Sequence, residues 1–135
     1  MNTISITKIW DDKKYDTIID VRSPSEFNED HIPGAINLPV LDDKERKKIG
    51  IIYKKKSPFE AKVLGSSLVT KNISEYLIKN LKNKNGAWRP LVYCWRGGQR
   101  SKALCLIMKE IGWRVSQLEG GYKPVSYTHL RAHET

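Results

Sequence analysis

A lone cysteine, Cys94, stands where a short apolar run ends and a loop rich in glycine and arginine begins. The run Leu91–Tyr93 is typical of a buried strand, and a helical pattern follows the loop. Backbone N–H groups curled into such a loop, together with the positive end of the helix dipole, favour a thiolate over a thiol. The pattern therefore predicts a nucleophilic cysteine. The alternative is a cysteine that only packs in the core.

The loop after Cys94 is expected to hold an anion beside the sulfur. Two glycines give it bare, flexible backbone, and two arginines give it positive charge. The predicted anion-binding residues are Trp95, Arg96, Gly97, Gly98, Gln99 and Arg100. Arg100 is the expected anion ligand because it begins the helix, whereas Arg96 could instead face the phosphate of a nucleic acid.

The second cysteine, Cys105, is predicted to be part of the core. It shares one helical stripe with Leu104, Met108 and Ile111. The two cysteines lie eleven positions apart, without CxxC spacing or an accompanying histidine cluster. The sequence therefore indicates neither a metal site nor a structural disulfide.

The chain has 135 residues, a length typical of one domain, and a net charge of +9. No apolar run approaches the ~20 residues that a membrane span needs. The first residues lack the apolar core of a signal peptide, so we expect a cytoplasmic protein with reduced cysteines. The positive charge suggests an anionic partner, either a nucleic acid or a phosphorylated small molecule, although lysines also simply cover soluble surfaces.

Strand and helix patterns alternate along the chain. Strands are predicted at residues 4–9, 16–21, 35–38, 91–93 and 113–118. Helices are predicted after Ser23 and Ser57, each followed by proline and a capping-box glutamate, and over residues 42–49 and 100–111. We expect Gly50 and Gly112 to end two helices, a break near Lys71–Asn72 in the long third one, and a loop over residues 80–86.

This alternation predicts an α/β domain with a mainly parallel central sheet flanked by helices. Functional sites in such sheets lie beyond the carboxyl ends of the strands. Cys94 and Asp20 are each placed at such an end.

Several stretches resemble, in order, the motifs of a rhodanese domain: Asp20–Phe27, His31–Asn37, the Cys94 loop and Leu118–Tyr122. Three narrow the resemblance to the tRNA 2-selenouridine synthase family: residues 38–46, residues 53–61, and the loop CWRGGQRS itself. The resemblance covers about residues 16–123. It implies a rhodanese-like domain over residues 1–123.

The resemblance also implies an activity and its partners. The family replaces the sulfur of 2-thiouridine at the tRNA wobble position with selenium from selenophosphate, through an S-geranylated intermediate made from geranyl diphosphate. Cys94 matches its essential cysteine; tRNA and selenophosphate are the expected partners, with no bound cofactor. The family also has a C-terminal P-loop domain. The chain contains no GxxxxGK[ST] motif, so we expect a fragment that lacks this domain.

Residues 124–135 depart from the family and resemble read-through of a cloning or sequencing adaptor. We expect them to be a non-native or disordered tail. No function is assigned to His129 or His133 within it.

Possible tRNA contacts implied by the resemblance are Trp95, Tyr53, Lys54, Lys55 and Lys56. An exposed indole can stack on an unpaired base, and a basic-aromatic patch suits an RNA backbone. The alternatives are an indole packed against the sheet and a solvated loop.

Asp20, Arg22 and Glu26 are expected to be structural residues near the site. Asp20 can accept backbone N–H bonds, and Arg22 and Glu26 are spaced to pair with each other across a helical turn.

Other functions of a rhodanese domain remain open. One is a generic thiosulfate or persulfide sulfurtransferase. Another is a cysteine phosphatase of the same fold, because the Cys94-x5-Arg100 spacing is shared with such enzymes and fits a tetrahedral anion. Tyr93, where those phosphatases usually carry histidine, and the lack of an acidic residue nearby in sequence argue against it. A pure binding module is disfavoured by Cys94.

Overall fold

The computed structural model describes residues 5–7, 14–94 and 99–118, and for residues 5–7 and 99 only the backbone. The strands are β1 (Ser5–Thr7), β2 (Thr17–Asp20), β3 (Ile36–Asn37), β4 (Pro90–Tyr93) and β5 (Ser116–Leu118). The helices are α1 (Pro24–Glu29), α2 (Asp43–Lys55), α3 (Pro58–Tyr76), a π-helical segment (Leu77–Leu81) and α4 (Gln99–Ile111). The predicted strand positions and α/β class are confirmed.

The described strands form one sheet in the order β1-β5-β4-β2-β3, and every pairing is parallel. In the central pair, Asp20 of β2 is in register with Tyr93 of β4. Both strands therefore end at the same edge of the sheet, and the two residues predicted to stand at strand ends, Asp20 and Cys94, lie at this edge on neighbouring strands.

The core lies on both faces of the sheet because successive strand residues point to opposite sides. On one face Val92 and Cys94 join buried residues of the helices, including Ile73, Leu104 and Met108. On the other face Leu91 and Tyr93 pack with Ile18, Ile32 and Leu118.

Cys105 is fully buried in this core, as predicted, and burial raises the pKa of its thiol to about 12. It therefore remains a protonated packing residue at neutral pH. Ile111, predicted to share its buried stripe, is instead 51% exposed. The stripe is lost there because Ile111 is the final residue of α4.

The helix starts follow the predicted caps. Ser57 accepts a hydrogen bond from the Glu60 N–H at 3.0 Å, and the Glu26 carboxylate accepts from the Ser23 N–H at 3.1 Å. At the other end of a helix, Gly112 takes a φ of +110° and ends α4 as expected.

The prediction that Gly50 ends a helix is wrong, because α2 continues to Lys55. Gly50 is exposed and does not take a positive φ, the conformation in which glycine ends a helix. An interior glycine weakens a helix by only ~1 kcal/mol, and the packing of α2 along α3 outweighs that.

The predicted break near Lys71–Asn72 is also wrong. The Asn72 side chain donates to the Val40 carbonyl and to Glu45, at 2.8 and 2.9 Å, so it makes tertiary bonds instead of competing for its own helix backbone. The loop predicted from residue 80 begins later, because the π-helical segment carries the buried Leu81.

Residues 119–135 lie outside the described part of the chain. They include the turn predicted after Leu118 and the predicted tail at 124–135.

Candidate active site

Cys94 directly follows the central strand β4 and is 2% exposed. Its sulfur lies 3.4 Å from the backbone nitrogen of Ser101, which donates to it, and 3.3 Å from the Ser101 hydroxyl oxygen. The N–H comes from the first turn of α4, where amides are not used by the helix itself. Backbone amides were predicted to stabilise a thiolate at Cys94, and one such amide is directed at the sulfur.

The loop residues predicted to bind an anion are only partly within the described chain. Trp95, Arg96, Gly97 and Gly98 lie outside it, and Gln99 is described only as the first residue of α4. Their roles stay predictions.

Gln117, Ser101 and Cys94 are linked by hydrogen bonds that the sequence analysis did not identify. The Gln117 side-chain amide on β5 donates to the Ser101 hydroxyl oxygen at 2.7 Å. The Cys94 thiol donates to the same oxygen at 3.3 Å. A Cys94 thiolate, which has no proton to donate, would receive the Ser101 N–H and, once the hydroxyl turns its hydrogen towards the sulfur, the Ser101 O–H. The only sequence signal was a serine directly after Arg100 at the start of a helix.

The Glu26 carboxylate forms ion pairs with two arginines beside α4. Its Oε1 accepts from the Arg46 and Arg100 guanidinium groups at 2.6 and 2.9 Å, and from the Ser23 hydroxyl at 2.8 Å. Partial burial by itself would raise the pKa of Glu26, but these partners lower it to about 2. The carboxylate therefore stays ionised and joins α1 to α2 and α4.

Arg100, the predicted anion ligand, is paired with this carboxylate. A second contact joins its Nη2 to Glu26 Oε2 at 3.4 Å, and its side chain is 17% exposed. The arginine is thus held at the start of α4 by a fork-like pair. The predicted pairing of Glu26 with Arg22 is replaced by these contacts, because α1 turns the Glu26 carboxylate towards α2 and α4.

Arg22 binds Asp20 instead, and both side chains are buried. The Asp20 carboxylate accepts from the Arg22 backbone N–H at 2.9 Å and from Nη2 at 2.8 Å. Nη2 also donates to the Asp30 carbonyl at 2.6 Å, at the end of α1. Burial alone would lower the pKa of Arg22, but the hydrogen bonds to Asp20 raise it. This pair fixes the chain between β2 and α1.

Tyr93, the residue before the cysteine, is fully buried on the opposite face of the sheet. Its hydroxyl accepts the Ile32 N–H at 3.1 Å, and burial raises the pKa of the phenol. Nearby, His31 stacks on Phe27 with ring centres 3.7 Å apart, and its Nδ1 lies 2.7 Å from the Phe27 carbonyl. These contacts hold the turn before β3.

The predicted basic-aromatic patch lies at the end of α2 instead of in a loop. Tyr53 is 58% exposed, and Lys54, Lys55 and Lys56 are exposed beside it. The structure does not describe Trp95, so it does not test whether the patch and the indole meet.

Within the described ranges, no group of three or more His, Cys, Asp or Glu side chains is arranged to hold a metal ion. None of the described helices is both long and apolar enough to cross a membrane.

The model of the rhodanese-like domain family matches residues 5–127. The chain belongs to this family. A solved rhodanese-related protein from Thermoplasma volcanium shares the fold, with a TM-score of 0.51 and 21% identity over 87% of this chain and 80% of its own.

A closer structural match is the N-terminal domain of a protein from Clostridium difficile 630 described as ATP/GTP binding. It is 32% identical to this rhodanese-like domain, with a TM-score of 0.72, and the match covers 95% of this chain and 98% of that domain.

Curated relatives of this rhodanese-like domain are named tRNA 2-selenouridine synthase, which confirms the resemblance. The protein from Shewanella denitrificans is 39% identical over 114 residues, and that from Sulfurovum sp. is 40% identical over 114 residues. The Bdellovibrio bacteriovorus protein is 41% identical over 107 residues. Each match covers 78% of this chain but only 28–29% of the relative. The chain thus spans less than a third of the length of these relatives.

Proposed function

We propose that this rhodanese-like domain carries the selenium-transfer step of a tRNA 2-selenouridine synthase, with Cys94 as its nucleophile. The observation that carries the proposal is the placement of the Cys94 sulfur at the end of β4, with the N–H and the hydroxyl of Ser101 against it. An N–H donor at the start of a helix stabilises a thiolate, and the hydroxyl can add a second hydrogen bond once the sulfur is ionised. The names of the curated relatives supply the substrate, tRNA.

Selenophosphate is the proposed selenium donor. Its selenium is already at the oxidation level of selenide, so forming a cysteine perselenide from it would need an added oxidant. Attack of the Cys94 thiolate on phosphorus needs none: a sulfur–phosphorus bond forms, the phosphorus–selenium bond breaks, and selenide leaves with the bonding electron pair. Water then releases phosphate from the cysteine. Arg96 and Arg100 are the proposed partners of the phosphoryl oxygens.

The released selenide is the nucleophile for the tRNA base. It attacks C2 of the S-geranylated 2-thiouridine, the carbon–selenium bond forms, and the carbon–sulfur bond breaks with loss of the geranyl thiolate. Making the geranylated base from geranyl diphosphate is assigned to the part of the relatives that this chain does not span. The ATP/GTP-binding description of the Clostridium difficile protein supports a nucleotide-binding P-loop domain there. With tRNA as its substrate, the proposed reaction would take place in the cytoplasm.

A thiosulfate sulfurtransferase is the second candidate, because the rhodanese-like family match favours it independently of tRNA. There the Cys94 thiolate would attack the outer sulfur of thiosulfate, forming a persulfide and releasing sulfite. A phosphatase would use the same attack on phosphorus with an alcohol as the leaving group.

The donor specificity of the purified chain separates these candidates. We expect selenophosphate to release selenide, trapped with monobromobimane, and to leave a phosphoryl group on Cys94 that is detected by mass spectrometry. The Cys94→Ser variant should do neither, and the Cys105→Ala variant should do both. Faster turnover of thiosulfate to sulfite, with no selenide released from selenophosphate, would assign the sulfurtransferase instead.

A further inference from the structure

A groove of about 920 Å³ lies between α2, α3 and the start of α4. This volume is within the ~300–1,000 Å³ typical of small-molecule sites. We call it the helix groove; it is lined by apolar and small residues, chiefly Ile49, Ala61, Gly65, Val69 and Ala103. Tyr53, Lys62 and Arg100 also line it. No carboxylate lies among its described lining residues.

Positive charge is concentrated around the helix groove. Residues 43–62, which form α2 and the start of α3, contain eight of the 24 Lys and Arg residues and three of the 15 Asp and Glu residues. Most of these lysines are exposed. An apolar groove inside a cationic surface is complementary to a ligand with a flat apolar part and an anionic backbone.

The helix groove also reaches the site of the proposed chemistry. Arg100 lines it, and the next residue, Ser101, contacts the Cys94 sulfur through its N–H and hydroxyl. The groove and the surroundings of the thiol therefore share two consecutive residues at the start of α4.

We propose that the helix groove binds an unpaired base of the tRNA substrate, with lysines of α2 and α3 binding the phosphates on either side of that base. Proteins read RNA mainly through unpaired bases that stack on aromatic side chains, and the exposed Tyr53 ring at the groove supplies such a surface. This inference rests on the proposed function and adds to it the place where the RNA is held. An apolar peptide would fit the walls but would not explain the surrounding lysines.

Gly65 offers a direct test because it allows the groove to be filled without removing a charge. A Cβ at Gly65 would lie 3.5 Å from Ile49 Cδ1, an ordinary contact, whereas a Cβ at Gly50 would meet nothing within 4 Å. Both glycines lie inside helices, where leucine is the better helix former. Gly65→Leu thus fills the groove, and Gly50→Leu is its matched control on α2.

The probe is an RNA hairpin carrying a tRNA anticodon loop, compared with a blunt RNA duplex of equal nucleotide number. We expect the wild-type chain to bind the hairpin about 10-fold more tightly than the duplex, since stacking of one base provides a gain of this order. Gly65→Leu should lose this preference while keeping its affinity for the duplex, and Gly50→Leu should retain it. If Gly65→Leu does not fold, a second pair of variants repeats the comparison. Ser66→Leu fills the groove from an exposed lining residue, and Ser67→Leu, at its neighbour, is the control.

Equal binding of hairpin and duplex by the wild-type chain, or an undiminished preference in both Gly65→Leu and Ser66→Leu, would overturn the groove assignment. A third outcome would also overturn it: Gly65→Leu still prefers the hairpin but no longer associates with the separately expressed remainder of the Sulfurovum relative. The groove would then be a protein interface. Selenide release from selenophosphate, measured without RNA on the same samples, tests the proposed function separately. Normal release with no hairpin preference rejects the groove alone, whereas no release rejects the Cys94 chemistry.

Discussion

The environment of one sulfur atom decides the chemistry proposed for this domain. Cys94 is buried at the end of a strand, where the Ser101 N–H donates to its sulfur and the Ser101 hydroxyl oxygen lies 3.3 Å from it. Gln117 orients the Ser101 hydroxyl by donating to its oxygen. A thiolate formed at Cys94 would therefore be stabilised by a residue whose orientation is set from the neighbouring strand.

Ser101→Ala should slow the alkylation of Cys94 at neutral pH by about 10-fold, because a hydrogen bond to a charged group contributes ~1.5–3 kcal/mol. Gln117→Leu should slow it less, since it only frees the Ser101 hydroxyl to rotate. The rate of alkylation by iodoacetamide as a function of pH, in a Cys105→Ala background, measures both. An unchanged alkylation profile in Ser101→Ala would remove Ser101 from the site.

The buried pair of Asp20 and Arg22 is important for stability. Arg22→Met should destabilise the fold by about 3–5 kcal/mol, because it leaves the Asp20 carboxylate buried without its partner. The double variant with Asp20→Asn should be less destabilised than the sum of the two single variants. Urea unfolding of the four proteins checks this, and strictly additive losses would show that the two side chains do not stabilise each other.

The position of Cys94 at the end of a strand, the serine caps and the burial of Cys105 could be predicted from the sequence because each depends on residues close in the chain. The Ser101–Gln117 contact could not, since it requires the register of β5 beside β4 and the position of α4. Arg100 is predicted to bind an anion because it begins a helix. Its contact with Glu26 joins residues 74 positions apart, which no local pattern reveals.

At the scale of secondary structure, Glu26 connects three helices around the site. It lies in α1, binds Arg46 of α2 and Arg100 of α4, and accepts the Ser23 hydroxyl that precedes α1. The position of the start of α4, and with it Ser101, therefore depends on this carboxylate.

Glu26→Gln should lower the free energy of unfolding at pH 7 by about 1–3 kcal/mol, a range that discounts the folded-state pKa shift for partial exposure. The folded-state pKa of about 2 lies below the ordinary value of 4.5, so the stabilisation is complete above pH 4.5 and is lost as the pH falls towards 2. The difference between wild type and variant, measured by chemical unfolding from pH 7 to pH 3, should shrink across this window. A difference that stays constant would mean that ionisation of Glu26 does not stabilise the fold.

The helices show where local patterns fail. α2 passes through Gly50, and α3 passes through Lys71–Asn72, because packing between the two helices and the bonds from Asn72 to Val40 and Glu45 outweigh weak local preferences. The patch at Tyr53–Lys56 consequently lies at the end of α2, and its Tyr53 lines the groove. The sequence analysis did not anticipate this because it ended the helix at Gly50.

At the scale of the whole molecule, the sheet and the helices α2 and α3 have different roles. The sheet places Cys94 at its carboxyl edge, and the basic helix α2 provides a surface suited to an anionic polymer. The curated relatives are more than three times longer than the matched region. The proposed function is therefore one of this domain acting together with the remainder of such a protein.

The most direct test is the 2-selenouridine content of tRNA in bacteria that lack their own synthase. This chain would replace the matched region of the Sulfurovum relative, and nucleosides from total tRNA would be quantified by mass spectrometry. We predict that the chimera restores 2-selenouridine, that Cys94→Ser abolishes it without loss of tRNA binding, and that Cys105→Ala has no effect. Undiminished 2-selenouridine in the Cys94→Ser chimera would contradict the assignment of Cys94 as the nucleophile.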